Sequence, residues 1–142
     1  MLAGLIMSVL IPLSAAFPSD IDTHKSEDEY FAQELVTLIN KYRTSNGLNA
    51  LFLDKKLIGL AESHSAEMNS LGVLSHDNFN DRFKKSGADS CIENVGWNFR
   101  TARDQFIAWK KSEGHNRNMM ATGIRKAGIS KIGEYVTFFS CD

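Results

Sequence analysis

Residues 126–141 of this 142-residue chain are Lys-Ala-Gly-Ile-Ser-Lys-Ile-Gly-Glu-Tyr-Val-Thr-Phe-Phe-Ser-Cys, and this stretch decides the fold class. It contains two runs rich in Ile, Val, Tyr, Phe and Thr, Lys126–Ile132 and Tyr135–Cys141, which Gly133-Glu134 separates. β-Branched and aromatic residues favour strands, and a two-residue link containing Gly is typical of a tight hairpin. The sequence therefore predicts an antiparallel β-hairpin here.

The residues before the hairpin have helical periodicity. Ser26-Glu27-Asp28-Glu29 is a capping box that predicts a helix ending near Gly47, and Asp54 predicts the N-cap of a second helix ending at Gly72. Apolar residues recur every three or four positions in both. They are Phe31, Leu35, Leu38, Ile39 and Tyr42 in the first helix, and Leu57, Leu60, Ala61, His64, Met68 and Leu71 in the second.

Two further helices complete the prediction. A short one is expected over residues 79–85, ending at Gly87, and another begins after Thr101, which caps it together with Asp104. The intervening residues 88–100 are expected to be irregular. Helices first and strands last predict an α+β domain in which helices cover an antiparallel sheet.

Composition limits the chain to one globular domain. It has a mass of 15.8 kDa, 43% hydrophobic and 23% charged residues, and a net charge of -1. This balance gives no reason to expect a nucleic-acid partner. Eight bases in the second half form a candidate face for an anionic partner, although such charges are usually only solvated. They are Arg82, Lys84, Lys85, Lys110, Lys111, Arg117, Arg125 and Lys126.

The first residues predict export. Residues 2–16 carry no charge and end in Ser14-Ala15-Ala16, the small-residue pattern of a signal-peptide cleavage site. The run falls short of the roughly 20 residues that span a bilayer, so we expect no transmembrane span, with an uncleaved anchor as the alternative. The predicted organisation is a signal peptide at 1–16, an acidic leader at 17–27 and a domain at 28–142 of a secreted, extracellular protein.

Cysteine usage agrees with export. The only two cysteines, Cys91 and Cys141, are most simply joined in one disulfide, and two buried free thiols are the alternative. The bond would close a loop of about 50 residues and contribute about 4 kcal/mol on the chain-entropy model.

Motifs for nucleophilic catalysis, phosphate loops and zinc-protease helices are absent from the sequence. The remaining candidates for chemistry are two histidines and two carboxylates, His76, Glu93, Glu113 and His115. Together they would suit a zinc-like divalent ion with an open position for water. The alternative is a hydrogen-bonded network that only fixes the fold. His64 lies on an apolar stripe and is interpreted as a core histidine.

Four segments, in order, resemble the CAP superfamily of cysteine-rich secretory proteins, antigen 5 and pathogenesis-related 1 proteins, also called the SCP domain. The segments are His64-Ser-Ala-Glu-Met, Leu74-Ser-His76, Glu93-Asn-Val and Trp109-Lys-Lys-Ser-Glu-Gly-His115-Asn-Arg-Asn118. The resemblance covers residues 28–142, and the compact last segment is similar to the shorter bacterial and fungal forms. It implies an α-β-α sandwich with an antiparallel sheet between helical layers.

The resemblance also implies a cleft with two His and two Glu, which fall on His76, Glu93, Glu113 and His115. Family members can hold a divalent metal through the histidines, and several bind sterols or other lipids. Two departures stand out: Ile92 replaces the family's usual Gly, and only Gly114 separates Glu113 from His115. Those two side chains share one side only if the segment is extended rather than helical.

The sequence thus predicts a secreted, non-catalytic binding protein. His76 and His115 are the expected metal ligands, with zinc the favoured ion, and the surface is expected to engage a lipid, sterol or extracellular protein. The alternative is a metal-assisted peptide or ester hydrolase in which Glu93 or Glu113 is the general base.

Overall fold

A computed structural model describes residues 26–142 of the chain. The predicted signal peptide and residues 17–25 of the acidic leader lie outside the described residues. The elements are α1 (Glu27–Ser45), β1 (Phe52–Leu53), α2 (Lys55–Leu71), α3 (Phe79–Ser86), β2 (Cys91–Trp97), α4 (Ala102–Lys111), α5 (Glu113–Met119), β3 (Lys126–Ile132) and β4 (Tyr135–Cys141).

The four strands form one sheet in the order β1-β3-β4-β2. The β3–β4 hairpin lies at its centre, β2 pairs antiparallel with β4, and the short β1 pairs parallel with β3. The predicted hairpin and the α+β class are confirmed, and β1 makes the sheet mixed.

Helices cover both faces of the sheet. On one face, α1, α4 and α5 enclose the main core, which includes Leu35, Ile39, Trp109 and Phe138. On the other face, α2 packs against β3 and β4 and α3 packs against α2. The approach of α2 is so close that a Cβ on Gly128 of β3 would overlap the backbone of Leu57. The fold is therefore an α-β-α sandwich.

Local signals place the helix ends as predicted. Ser26 and Glu29 form the reciprocal capping box, with Ser26 N donating to Glu29 Oε2 at 2.7 Å. Asp54 caps α2 through the backbone N–H of Leu57 at 3.0 Å, and Gly72 ends that helix in the left-handed conformation. Leu71, predicted to be on the apolar stripe, is instead 68% exposed, because it lies in the last turn of α2.

Two segments differ from the prediction. Residues 88–100 were expected to be irregular, but Cys91–Trp97 form β2. Its residues 93–96 are all buried, so the polar-apolar alternation of a half-exposed strand is missing. Residues 113–119 form α5, a helix that the sequence analysis did not predict.

The predicted disulfide between Cys91 and Cys141 is present. These residues are directly opposite each other in the β2–β4 ladder, so the bond fastens an edge strand to a central one. Among the helices of residues 26–142, none is long and apolar enough to cross a membrane.

Candidate functional site

Glu93 is the centre of the candidate site. It lies in the middle of β2, and its side chain is only 1% exposed. Arg82 of α3 binds it in a bidentate manner: Nε donates to Oε2 and Nη2 to Oε1, both at 2.8 Å. The same guanidinium donates through Nη1 to the Asp77 carbonyl at 2.7 Å. One buried ion pair therefore joins β2, α3 and the loop between α2 and α3.

His76 lies in that loop and contacts the same carboxylate. Its Nδ1 is 2.9 Å from Glu93 Oε1. A carboxylate only accepts, so Nδ1 carries the proton and Nε2 is the nitrogen available to a ligand. The His76 side chain is 53% exposed, so this nitrogen belongs to a ring that solvent reaches.

His64 supports this arrangement from inside the core. It is buried, as predicted, and its Nε2 is 2.8 Å from the Ser75 carbonyl and 3.8 Å from Glu93 Oε1. It therefore holds the backbone next to His76. Neither His64 nor Arg82 was predicted to belong to the site, and Arg82 was predicted to be one of the surface bases, but it is buried. A buried carboxylate such as Glu93 requires a cation beside it, and this requirement is the signal that could have identified Arg82.

His115 lies in α5, a helix that packs against β2. Its Nδ1 is 2.9 Å from Ser112 Oγ, and its ring lies 6.2 Å from the Trp109 ring, centroid to centroid. Burial, and then the positive charge of nearby His76, lower the pKa of His115 below its ordinary value. The imidazole is therefore held in its neutral form, and its Nε2 has a free lone pair when Nδ1 is protonated.

Glu113 lies apart from this cluster. It is in the first turn of α5, its side chain is 90% exposed, and it accepts from Arg117 Nη2 at 2.6 Å. Residues two apart on a helix point roughly 200° from each other. The structure thus brings His76 into contact with Glu93, and His115 is close enough for the charge of His76 to lower its pKa, whereas Glu113 faces solvent.

Side chains from α4 and α5 close the outer edge of β2. Trp109 Nε1 donates to the Val95 carbonyl at 3.1 Å, and Asn118 Nδ2 donates to the Glu93 carbonyl at 3.0 Å. Asn94 Nδ2 in turn donates to the His115 carbonyl at 3.0 Å. These bonds fasten α5, which carries His115, to β2, which carries Glu93.

The donor set fits a divalent ion only in part. Within residues 26–142, no group of three or more His, Cys, Asp or Glu side chains is arranged to hold a metal ion. Both Glu93 oxygens are engaged by Arg82, and Glu113 faces solvent. What remains is Nε2 of His76 and Nε2 of His115, each on a ring whose other nitrogen is oriented by an oxygen, as is usual for metal-binding histidines.

The family model for the cysteine-rich secretory proteins, CAP, matches residues 36–142. The chain belongs to the CAP family. No curated protein sequence matches it.

Solved structures share the fold at low sequence identity. An extracellular SCP-domain protein of Bacillus anthracis matches at 22% identity with a TM-score of 0.78, covering 89% of this chain and 45% of that one. A cysteine-rich secretory protein of Staphylococcus aureus matches at 18% with a TM-score of 0.75, covering 82% and 39%. An outer surface protein of Borrelia burgdorferi matches at 18% with a TM-score of 0.74, covering 84% and 97%. The chain thus spans less than half the length of the first two.

An exposed apolar loop leads into the site. Leu71, Val73 and Leu74 are 68%, 53% and 47% exposed, and Ser75 and His76 follow them directly. Consecutive exposed apolar residues are a feature of contact surfaces, whereas isolated ones are common everywhere.

Replacing Glu93 by Gln is expected to lower the free energy of unfolding by about 3–5 kcal/mol, because the buried Arg82 charge loses its partner. Urea unfolding of the disulfide-bonded protein measures this. Glu113→Gln is the matched control and should change stability by less than about 0.5 kcal/mol, since Glu113 is exposed. Equal stability of the two variants would contradict the central role of the ion pair.

The imidazole of His115 is expected to titrate below about 6.5, the ordinary histidine value. His76→Ala should bring the pKa of His115 only part of the way back towards that ordinary value, because burial is the larger cause of the shift. NMR titration in the presence of a chelator measures both. Since the folded state resists this protonation, the stability of the protein should decrease as the pH falls from about 6.5 towards the lower pKa of folded His115. A His115 pKa unchanged by His76→Ala would show that the two rings do not interact.

Proposed function

We propose that this chain is an extracellular, non-catalytic binding domain whose cleft beside β2 holds a divalent cation, preferably zinc, between His76 and His115. The observation that carries the proposal is the engagement of Glu93. Its two oxygens accept from Arg82 at 2.8 Å and from His76 at 2.9 Å, so the cleft offers imidazole nitrogens without a free carboxylate.

Glu93 and Glu113 are both engaged by other side chains, and this favours a ligand-binding role for the site over hydrolysis. A general base must be within hydrogen-bond reach of the proton it removes, with a lone pair to accept it. The lone pairs of Glu93 are directed at a guanidinium and an imidazole N–H, and Glu113 pairs with Arg117 at the surface. A water bound between the histidines would therefore have no carboxylate of this set to activate it.

Two imidazoles make a weak but oriented metal site. The contact of His76 Nδ1 with the Glu93 carboxylate leaves Nε2 of that ring for the ion, and His115 offers its Nε2 in the tautomer in which Nδ1 donates to Ser112 Oγ. Zinc accepts imidazole readily and usually has four ligands, so two positions would be filled by water or by a ligand's oxygen atoms. When bound, the ion would supply a positive centre that anchors an anionic group of the ligand.

An extracellular setting is supported by three observations. The chain has a disulfide, which persists in oxidising compartments, and its first residues predict a signal peptide. The similar Bacillus and Staphylococcus proteins are described as extracellular and secretory.

Zinc titration by calorimetry near pH 7.5 tests the metal site on the disulfide-bonded protein. We expect saturable binding in the parent, loss of binding in His76→Ala/His115→Ala, and no change in Glu113→Gln. Circular dichroism must show that the double variant is folded. Absence of binding in the parent, or its persistence in the double variant, would refute the site. Peptide or ester turnover with zinc, abolished by the double variant, would favour the hydrolase instead.

The proposed partner of the apolar loop is a lipid surface containing sterol. Leu71, Val73 and Leu74 would insert apolar side chains, so binding should not weaken at high salt. Co-sedimentation with vesicles of phosphatidylcholine and cholesterol measures this. Val73→Ser/Leu74→Ser should lose most binding, and Ile107→Ser, at an exposed apolar position on α4, should retain it. Equal binding of both variants would exclude the loop as the contact.

A further inference from the structure

The outer edge of β3 is open over most of its length. β1 pairs only through Phe52 with Lys126 and Leu53 with Ala127. Asp54 N then donates to the Ala127 carbonyl at 3.0 Å, and the chain turns into α2. Among residues 26–142, no strand pairs with the remainder of β3 on this side.

The backbone direction of β3 follows from the bonds to β1. The carbonyls of Arg125 and Ala127 accept from Phe52 N and Asp54 N, so they point outward. Alternate residues of a strand direct their backbone groups to the same side. The N–H and C=O groups of Ile129 and Lys131 therefore also point outward, as an unpaired hydrogen-bonding edge.

This edge forms the floor of a groove between two helices. Asp28, Glu29 and Ala32 of α1 line one wall, and Ile58 and Glu62 of α2 line the other. A strand edge that is left unpaired beside a helix is the geometry in which extended peptides add to a sheet.

The walls differ in chemistry along the groove. At the β1 end, Leu53, Ile58 and Ile129 provide an apolar lining. Glu29 lines both parts of the groove, and the other end adds the carboxylates of Asp28 and Glu62. The one base in the lining, Lys131, already binds Asp28 Oδ1 at 2.5 Å. Within residues 26–142, Glu29 and Glu62 make no salt bridge, so the groove has an excess of negative charge.

We infer that this groove is a docking site for an extended peptide segment that pairs with β3 as an added strand and carries basic and apolar side chains. The main-chain groups of Ile129 and Lys131 supply the pairing. Glu29 and Glu62 select basic side chains, and the apolar lining accepts an aliphatic one. The site is independent of the His76–His115 cleft, because it lies at the opposite edge of the sheet.

Charge argues against two other occupants. Residues 17–25 of the same chain include Asp20 and Asp22 against one base, Lys25, so they do not complement an acidic groove. Pairing of two copies through their β3 edges would bring both sets of carboxylates together, which is unfavourable.

The two edges of the sheet differ in how their backbone groups are covered, and this difference supports a binding role for the β3 edge. Trp109 and Asn118 satisfy the outward-facing carbonyls of Val95 and Glu93 in β2, which blocks strand addition at the middle of that edge. Exposed edges are a liability that proteins usually protect. The β3 edge lacks such protection over Ile129–Lys131 and is instead flanked by an acidic groove.

Fluorescence anisotropy with a short labelled peptide in which Lys alternates with Val tests the proposal on the disulfide-bonded protein. We expect saturable binding that the Glu29→Gln/Glu62→Gln variant weakens about tenfold or more, equivalent to about 1.4 kcal/mol. Gln is accepted in a capping box, so Glu29→Gln should preserve the start of α1. Glu113→Gln, an exposed acid in α5, is the matched control and should bind like the parent.

A second peptide separates strand pairing from simple charge attraction. The same sequence with alternate backbone nitrogens methylated keeps its charges but cannot complete the pairing, so its binding should be lost. Equal binding of the methylated peptide would overturn the proposal, because charge alone would explain the affinity. So would the absence of peptide binding to the parent, or equal binding by the Gln variants. A parent dimer that the Glu29→Gln/Glu62→Gln variant strengthens, and that the peptide does not disrupt, would assign the groove to a second copy.

Discussion

The buried ion pair between Arg82 and Glu93 is the interaction on which the site depends. Burying two charges is costly unless their geometry is good and their remaining hydrogen-bonding groups are satisfied. Here the pair is bidentate, and the Asp77 carbonyl and His76 take up the remaining capacity. The same carboxylate determines which nitrogen of His76 carries a proton. A structural requirement of the core therefore also orients the most exposed ligand candidate of the cleft.

The elements that were predictable from sequence are those with local signals. The Ser26 capping box, the Asp54 cap, the glycine ends and the Gly133-Glu134 turn each specify their own boundaries. β2 was not predictable because β4, its strand partner among residues 26–142, lies 38 to 50 positions away in the ladder, and because its buried polar residues resemble a loop. Strands buried on both faces give no alternation to recognise.

The residues that form the site were only partly predictable from the sequence. The family resemblance identified His76, Glu93 and His115 as residues of one cleft, and the structure brings His76 and Glu93 into contact. Arg82 was counted among eight bases that form a candidate face for an anionic partner or are simply solvated, whereas the structure buries it against Glu93. The position of Glu113 depends on whether the segment before His115 is helical, and α5 directs the two side chains apart. The spacing of Glu113 and His115 did not determine the backbone conformation between them, and the helical conformation of α5 is what turns Glu113 towards solvent.

The strand order has a consequence for the sequence of events during synthesis. β2 is made well before β4, yet among residues 26–142 it pairs only with β4, and the Cys91 thiol has no partner in this chain until Cys141 has emerged. Chains are synthesised from the N-terminus at roughly 5–20 residues per second, so Glu93 must wait several seconds before its strand can be completed. During that interval, α1 and α2 can form from local contacts, whereas β2 is exposed to chaperones and to incorrect disulfide partners. The strand that carries Glu93 therefore joins the sheet only after β4 has been made, and a nascent chain that ends before β4 would lack the β2–β4 ladder.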